Sequence, residues 1–434
     1  MSHHRPRADR TVSSEGIARV EGDGSLRAVV RDGVVTDVEL SIFEPPRFFE
    51  ALLQGRRFTE APDLTARICG ICPVAYQMSA CRAMEDACDV RPGAQIETLR
   101  RLLYYGEWIQ SHALHVYLLH APDFHGLPDA VTLAEADPDT VRRGLELKKV
   151  GNLVMTAIGG RAIHPVNVRV GGFYRAPSVE AIAELVSPLE AAREAALRTV
   201  EWVSGFTFPE VRGDYRFVAL QDPERYAIDT GRVGSSDGLD LDPAAFAALV
   251  VEEQVARSTA LHARLAGRDA YLTGPLARYA LSSARLGPLA REAAEAAGLG
   301  SVCTNPFQSI VVRSVELVEA CDQALRLAAA YEPPDPPAVE VVPQAAVGVG
   351  VTEAPRGTLL HRYELDASGD IVSVRILPPT SQNQLTIEAD LRRVVETGLE
   401  LGDEELTRRC EQAVRNHDPC ISCAAHFLDV EVTR

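Results

Sequence analysis

The stretches ARICGICPVAYQMSA (residues 66–80) and NHDPCISCAAH (residues 416–426) carry the four cysteines on which the reading of this chain turns. Cys69 and Cys72 form one CxxC pair, and Cys420 and Cys423 form a second at the far end of the chain. A CxxC spacing brings two thiolates within reach of one ion, and two such pairs complete a four-sulfur site. Three chemistries fit that spacing: a structural four-cysteine zinc site, a catalytic metal, and a disulfide or thioredoxin-like dithiol. Structural zinc usually clips small modules together, and neither pair lies in the βαβ pattern of a thioredoxin-like motif.

Outward from the cysteines, 434 residues suffice for two or three structural units and a sizeable core. Hydrophobic residues make up 46% and charged residues 24%, the balance of a soluble globular protein. No apolar run approaches the roughly 18 residues of a membrane span. Basic residues number 44 against 61 acidic, a net charge of −17 that repels nucleic-acid backbones and anionic lipid. Nucleic acid and a membrane span are therefore excluded. The opening MSHHRPRADRTVSSEG lacks the apolar segment of a secretory signal. Nine cysteines, an odd number spread over a long chain, favour metal or thiol chemistry in a cytoplasmic protein.

After a disordered head at 1–16, GIARVEGDGSLRAVVRDGVVTDVELSIFE reads as an antiparallel β meander over 17–45, its runs broken by Gly-Asp and Asp-Gly. A helical core follows over 47–331. It begins at RFFEALLQGR, and IETLRRLLYYGEWIQSHALHVYLLHA keeps helical apolar spacing for about 25 residues. Further helices are expected at 138–158, 178–204, 242–266, 288–298 and 306–331. Pro-Pro-Asp-Pro-Pro at 333–337 marks a linker. A second β region is expected at 345–377, with Asp-Ala-Ser-Gly-Asp as its turn. C-terminal helices and the second cysteine pair fill 387–426, one helix being expected at 387–417. The tail is 427–434. The fold class is mainly α with small β regions (α+β), a long helical bundle core with antiparallel β patches.

Taken together, these strings resemble nickel–iron hydrogenase large (catalytic) subunits. The two cysteine segments are similar to that family's first and last signatures. IARVEGDG, RFFEALLQGR, SHALHVYLLHAPDF, GGRAIHPVNVRVGG, YLTGPLAR and EAPRG resemble its internal segments in the family's order. The resemblance spans residues 17–426, which it makes one catalytic domain. The length and the RICGICPVAYQ form look most like the cytoplasmic, multi-subunit NAD(P)-linked bidirectional and sulfhydrogenase alpha-subunit subgroup. The quinone-site subunits of respiratory complex I share the fold but lack the cysteine pairs.

The resemblance implies reversible heterolytic cleavage of dihydrogen at a nickel–iron centre whose iron carries CO and cyanide. Cys69 and Cys420 would be terminal nickel ligands, and Cys72 and Cys423 would bridge to iron. Cys420 would take the proton and pass it to Glu21. Arg356 would stand above the metals, held by Asp123 and Asp418. Glu50 and His426 would bind magnesium, with a backbone carbonyl near residues 377–383. Read without the family, Glu21 sits in turn chemistry, Arg356 is a loop arginine, Asp123 ends a helix and Asp418 begins a turn at Pro419. His112, His115 and His120 read as core residues around the site, and His164 and His361 as structural. Tyr76 stands where many family members have histidine. Cys81, Cys88, Cys303, Cys321 and Cys410 match no ligand position and read as small buried hydrophobes.

The chain has no Gly-rich dinucleotide fingerprint and no further cysteine cluster for an iron–sulfur site. The resemblance implies an iron–sulfur small subunit, flavin- and NAD(P)-binding and ferredoxin-like electron-transfer subunits, and nickel-insertion proteins with a maturation protease that acts on the tail. The alternative is a non-catalytic structural subunit of a redox complex with a four-cysteine zinc site. A second is an enzyme of the same fold acting on a substrate other than dihydrogen.

Overall fold

A computed structural model describes residues 9–45, 47–267 and 270–426. Strands β1 (Arg10–Ser14), β2 (Gly24–Arg31) and β3 (Val34–Ile42) form an antiparallel meander. Its buried side includes Leu26, Ala28, Val30, Val38 and Leu40. Asp32 and Gly33, both at positive φ, close the β2–β3 hairpin, as a two-residue turn between right-twisted strands requires. The expected disordered head gives way to β1 over its described part, since Val12 is buried and Arg10–Ser14 pairs with Leu26–Val30. Residues 1–8 lie outside the described residues. Arg10–Ser14 is too short and polar to show strand periodicity, and its pairing partner supplies the order.

The centre is a helical bundle. Helices α1 (Phe49–Leu53), α2 (Pro73–Ala87), α3 (Ala94–Leu114), α4 (Pro138–Gly159), α5 (Val186–Ser204) and α6 (Ser309–Ala329) share one hydrophobic core with the second β region. Past Leu114, α3 runs into a π-helical turn at His115–His120. The α3–α4 crossing is glycine-limited, because a Cβ on Gly151 would fall 2.5 Å from the Gly106 carbonyl oxygen. The expected helix at 178–204 is broken, with a short helix at Val179–Ala183 preceding α5.

The expected helix at 242–266 is not formed. A helix covers Pro243–Leu249, and Val250–Glu253 then pairs antiparallel with His262–Leu265. Val250 and Val251 favour an extended chain, and apolar spacing alone does not separate a short strand from a helix. A second small sheet, Val218–Gln221, Arg232–Ser235 and Asp240–Leu241, also lies inside the segment read as purely helical.

β4 (Ala346–Ala354), β5 (Gly357–Leu365) and β6 (Ile371–Leu377) form the second meander within the expected 345–377. Helix α7 (Pro379–Thr397) and helix α8 (Asp403–Asn416) replace the single helix expected at 387–417. The residues between them include Gly398 and Gly402, poor interior helix formers. The 333–337 segment packs along the body of the protein. Its Pro337 carbonyl accepts from Phe173 N at 2.9 Å, and the following Val339 N donates to Gly171 O.

Candidate metal centre

The first cysteine pair sits where a turn meets α2. Cys72 precedes the helix, and Pro73 at its first position needs no amide partner. The amides of Ile71 and Cys72 both donate to Cys69 Sγ at 3.3 Å. The Cys72 thiol also bonds to Cys69, which with the nearby Arg356 outweighs burial and holds Cys69 below the ordinary thiol range. The opening turn of α2 is capped from α3. Glu107, fully buried, accepts from Val74 N at 2.5 Å and Ala75 N at 3.1 Å, and Gln110 Nε2 donates to Ile71 O. Burial pushes the Glu107 carboxyl well above its usual range.

The second pair follows α8. His417 Nε2 lies 2.9 Å from Asp390 Oδ2 on α7, and Asp418 takes a left-handed φ of 50° before Pro419. Cys420 N then donates to Thr380 Oγ1 at 2.9 Å. Glu21, in the loop between β1 and β2, bridges to this segment at three points. Its carbonyl accepts from Ile421 N at 2.9 Å, and its Oε2 accepts from Ser422 N at 3.0 Å and lies 3.2 Å from Cys420 Sγ. The Val-Glu-Gly-Asp-Gly turn thus points its acid inward, and Gly22 admits the close approach of Ile421.

The four sulfurs converge. Each buried Sγ of Cys69, Cys72, Cys420 and Cys423 lies within 4.8 Å of the others. Cys69 and Cys420 are 3.6 Å apart, and Cys420 and Cys423 approach to bonding distance. Such a set fits a soft metal or a pair of metals sharing thiolates.

Near the sulfurs of Cys69 and Cys72, close enough for its charge to act on them, lies Arg356, from the β4–β5 turn. It is 2% exposed, and Nη2 donates to Asp418 Oδ1 at 3.2 Å. Among the described residues its Nε and Nη1 have no partner. Asp418 is shared with Arg313, 3.4 Å away, whose pKa burial pushes down to about 10. Asp123 does not join this group. It accepts from Arg415 at 2.7 and 2.8 Å and from Arg19, holding the Glu21 loop to the end of α8. The turn that ends α3 carries Asp123 to that side, leaving Asp418 as the carboxylate on Arg356.

Glu50 and His426 meet, with Oε2 and Nε2 2.9 Å apart. Glu50 Oε1 accepts from Ile376 N at 2.7 Å, and a cavity of about 30 Å³ lies beside them. His112 is buried 3.2 Å from Glu316, and burial pushes it down to about 4. His115 bonds to the Arg415 carbonyl, and His120 lies with its ring centroid 5.0 Å from that of His115. His164 bonds to the Ala66 carbonyl and His361 to the Tyr363 hydroxyl. Tyr76 is buried against His361, with ring centroids 5.6 Å apart. The five remaining cysteines are all buried. Sequence reasoning passed over Glu107, Arg47, Arg313, Thr380 and Asp390. Each acts through a contact with a distant segment, and no local motif marks it.

Residues 47–144 match the family model for nickel-dependent hydrogenases. The chain is 32% identical to the sulfhydrogenase 1 alpha subunit of Pyrococcus furiosus over 421 residues, covering 96% of this chain and 98% of that one. This chain belongs to the nickel-dependent hydrogenases. It is 29% identical over 482 residues to the beta subunit of an NAD-reducing hydrogenase from Cupriavidus necator, covering 96% of this chain and 95% of the relative. A solved NAD+-reducing [NiFe]-hydrogenase in its H2-reduced state superimposes with a TM-score of 0.87 at 27% identity, covering 96% and 99% of the two chains. The Ni-Fe-Se hydrogenase of Desulfovibrio vulgaris Hildenborough, at 22% identity and a TM-score of 0.79, shares the fold.

Membership bears out the resemblance drawn from the cysteine strings. The chain is a hydrogenase catalytic subunit, its four-sulfur pocket suits a nickel–iron centre, and the zinc-scaffold alternative is not favoured. Among the described residues, no helix is long and apolar enough to cross a membrane.

Proposed function

We propose that this chain catalyses reversible heterolytic cleavage of dihydrogen and that Cys420 with Glu21 forms its proton exit. The supporting observation is the 3.2 Å contact between Cys420 Sγ and Glu21 Oε2. Cys69, Cys72, Cys420 and Cys423 would hold the centre, Cys69 and Cys420 through nickel and Cys72 and Cys423 through both nickel and iron. The bound nickel–iron centre, with CO and cyanide on iron, supplies the site where dihydrogen binds and its electrons are taken up. The thiolate of Cys420 receives the proton and Glu21 Oε2 accepts it next, a transfer that needs no side-chain movement at this distance. Ser422 N, donating to the same oxygen, keeps the carboxylate aimed at the sulfur. Arg356 keeps two nitrogens without a partner among the described residues while Asp418 holds the third, so its charge acts beside the sulfurs, where negative charge develops. Asp123 acts one step removed, by holding Arg19 and Arg415 beside the Glu21 loop.

Glu50 and His426 are assigned to a magnesium ion beside the second cysteine pair. The carboxylate suits such a hard ion better than the imidazole does. Electrons leave through an iron–sulfur small subunit to flavin-, NAD(P)-binding and ferredoxin-like subunits in the cytoplasm. The kinship with NAD-reducing and sulfhydrogenase subunits supports this. Nickel-insertion proteins and a maturation protease complete the set. The tail on which that protease would act lies outside the described residues.

The test is an infrared spectrum and a nickel and iron analysis of the complex purified with its partners. Bands of metal-bound CO and cyanide with both metals present support the reading, and zinc alone overturns it. Cys420→Ala is expected to lose nickel and dihydrogen activity; a fully active variant would remove Cys420 from the site.

A further inference from the structure

The two cysteine pairs are anchored in different parts of the fold. Glu107 and Gln110 on α3 hold the first, while Thr380 and Glu21 hold the second. A centre bound by all four sulfurs also needs the separation of the two segments to be set. Arg47, ahead of α1, reaches both. Its Nη1 donates to the Ile68 carbonyl at 2.6 Å, next to Cys69, and to the Ser422 carbonyl at 3.1 Å, between Cys420 and Cys423.

One nitrogen with two hydrogens on two carbonyls ties the segments at a single point, and the charge on the guanidinium strengthens its hold on both. The guanidinium also lies over the Phe49 ring, 5.1 Å from its centroid, a contact that restrains its rotamer. Glu50, three residues on, holds His426 on the other side of Cys423. One short segment therefore grips the chain before and after Cys423.

We infer that Arg47 is a positioning residue that sets the distance between the two cysteine pairs, and through it the geometry of the metal centre. The inference rests on the nickel–iron reading above.

The experiment compares the complex carrying Arg47→Met, which keeps a flexible stem but no donor, with Arg47→Lys and wild type. An ammonium offers several hydrogens from one nitrogen and can serve both carbonyls. For Arg47→Met, nickel retention against a chelator is expected to fall about 10-fold or more, the scale on which outer partners act on metal affinity. Its remaining CO and cyanide bands are expected to shift and broaden, while the thermal midpoint stays at the wild-type value. Arg47→Lys is expected to restore the band positions. Wild-type bands and nickel retention in Arg47→Met would overturn the inference, as would metal loss tracking a lowered midpoint in both variants. A wild-type complex without nickel and iron would overturn the functional reading itself.

Discussion

Two arginines buried beside the same turn show how differently one side chain is used. Arg278 spends every N–H on the protein. Nε and Nη2 bind the two oxygens of Glu316 at 2.7 and 2.8 Å, and Nη1 binds Glu353 at 3.0 Å. The remaining hydrogens go to the carbonyls of Ala354 and Pro355, and the guanidinium lies 4.5 Å from the Trp108 ring centroid. Among the described residues, Arg356, one residue beyond that second carbonyl, has one carboxylate partner in Asp418 and two nitrogens without a partner. Buried polar groups are normally satisfied, so the saturated arginine reads as scaffold and the unsaturated one as the working group. They are also coupled, since Arg278 grips the carbonyls of the turn that presents Arg356.

The largest expected effect is on stability. Arg278→Met strands Glu316 and Glu353 without their cation and should cost about 3–5 kcal/mol, read as a lowered midpoint of thermal unfolding. Arg356→Met should leave that midpoint near wild type while dihydrogen turnover falls about 10²–10³-fold, the scale for losing one aimed donor. If Arg356→Met melts as early as Arg278→Met, the division between scaffold and working group is wrong.

Glu21→Gln sharpens the same contrast at the carboxylate. Metal content should stay at the wild-type level while hydrogen/deuterium exchange drops about 10²-fold, a typical general-base contribution. Unchanged exchange would take Glu21 off the proton route.

The smallest effect is expected at Asp123. Burial raises its pKa, but Arg415 and Arg19 outweigh that and hold it below the ordinary carboxylate range. A carboxylate depressed in the folded state contributes stability above its unfolded pKa of about 3.9, and that contribution is lost as pH falls through the folded value. Asp123→Asn should therefore cost about 2 kcal/mol at pH 7. The gap from wild type should close as the pH falls below 4, measured by denaturant unfolding at both pH values. A gap that persists in acid would mean that packing, not charge, carries the effect.

Much of the architecture can be read from short-range signals. The Asp32-Gly33 turn announces its hairpin, and the alternating residues of 345–377 announce theirs. The periodic run of 96–114 announces α3. The misreadings fall where a short-range signal is ambiguous. The alanine-rich 242–266 has helical spacing, yet β-branched Val250 and Val251 begin a strand stabilised by pairing with His262–Leu265. The head is polar, and Arg10–Ser14 is ordered by a partner strand that polarity does not reveal.

The candidate site divides in the same way. The sequence by itself determined the donor atoms: two CxxC pairs offer four soft sulfurs wherever the chain takes them, because the spacing of a pair is a local property. Family order in the surrounding strings pointed to nickel and iron. Only the tertiary structure decided that Asp418 and not Asp123 pairs with Arg356 and that Arg47 spans both cysteine segments. Those contacts join residues far apart in the chain, and packing of the whole core makes them. Whether a buried arginine is saturated depends on carbonyls and carboxylates that other elements bring to it, and no local pattern of residues records that.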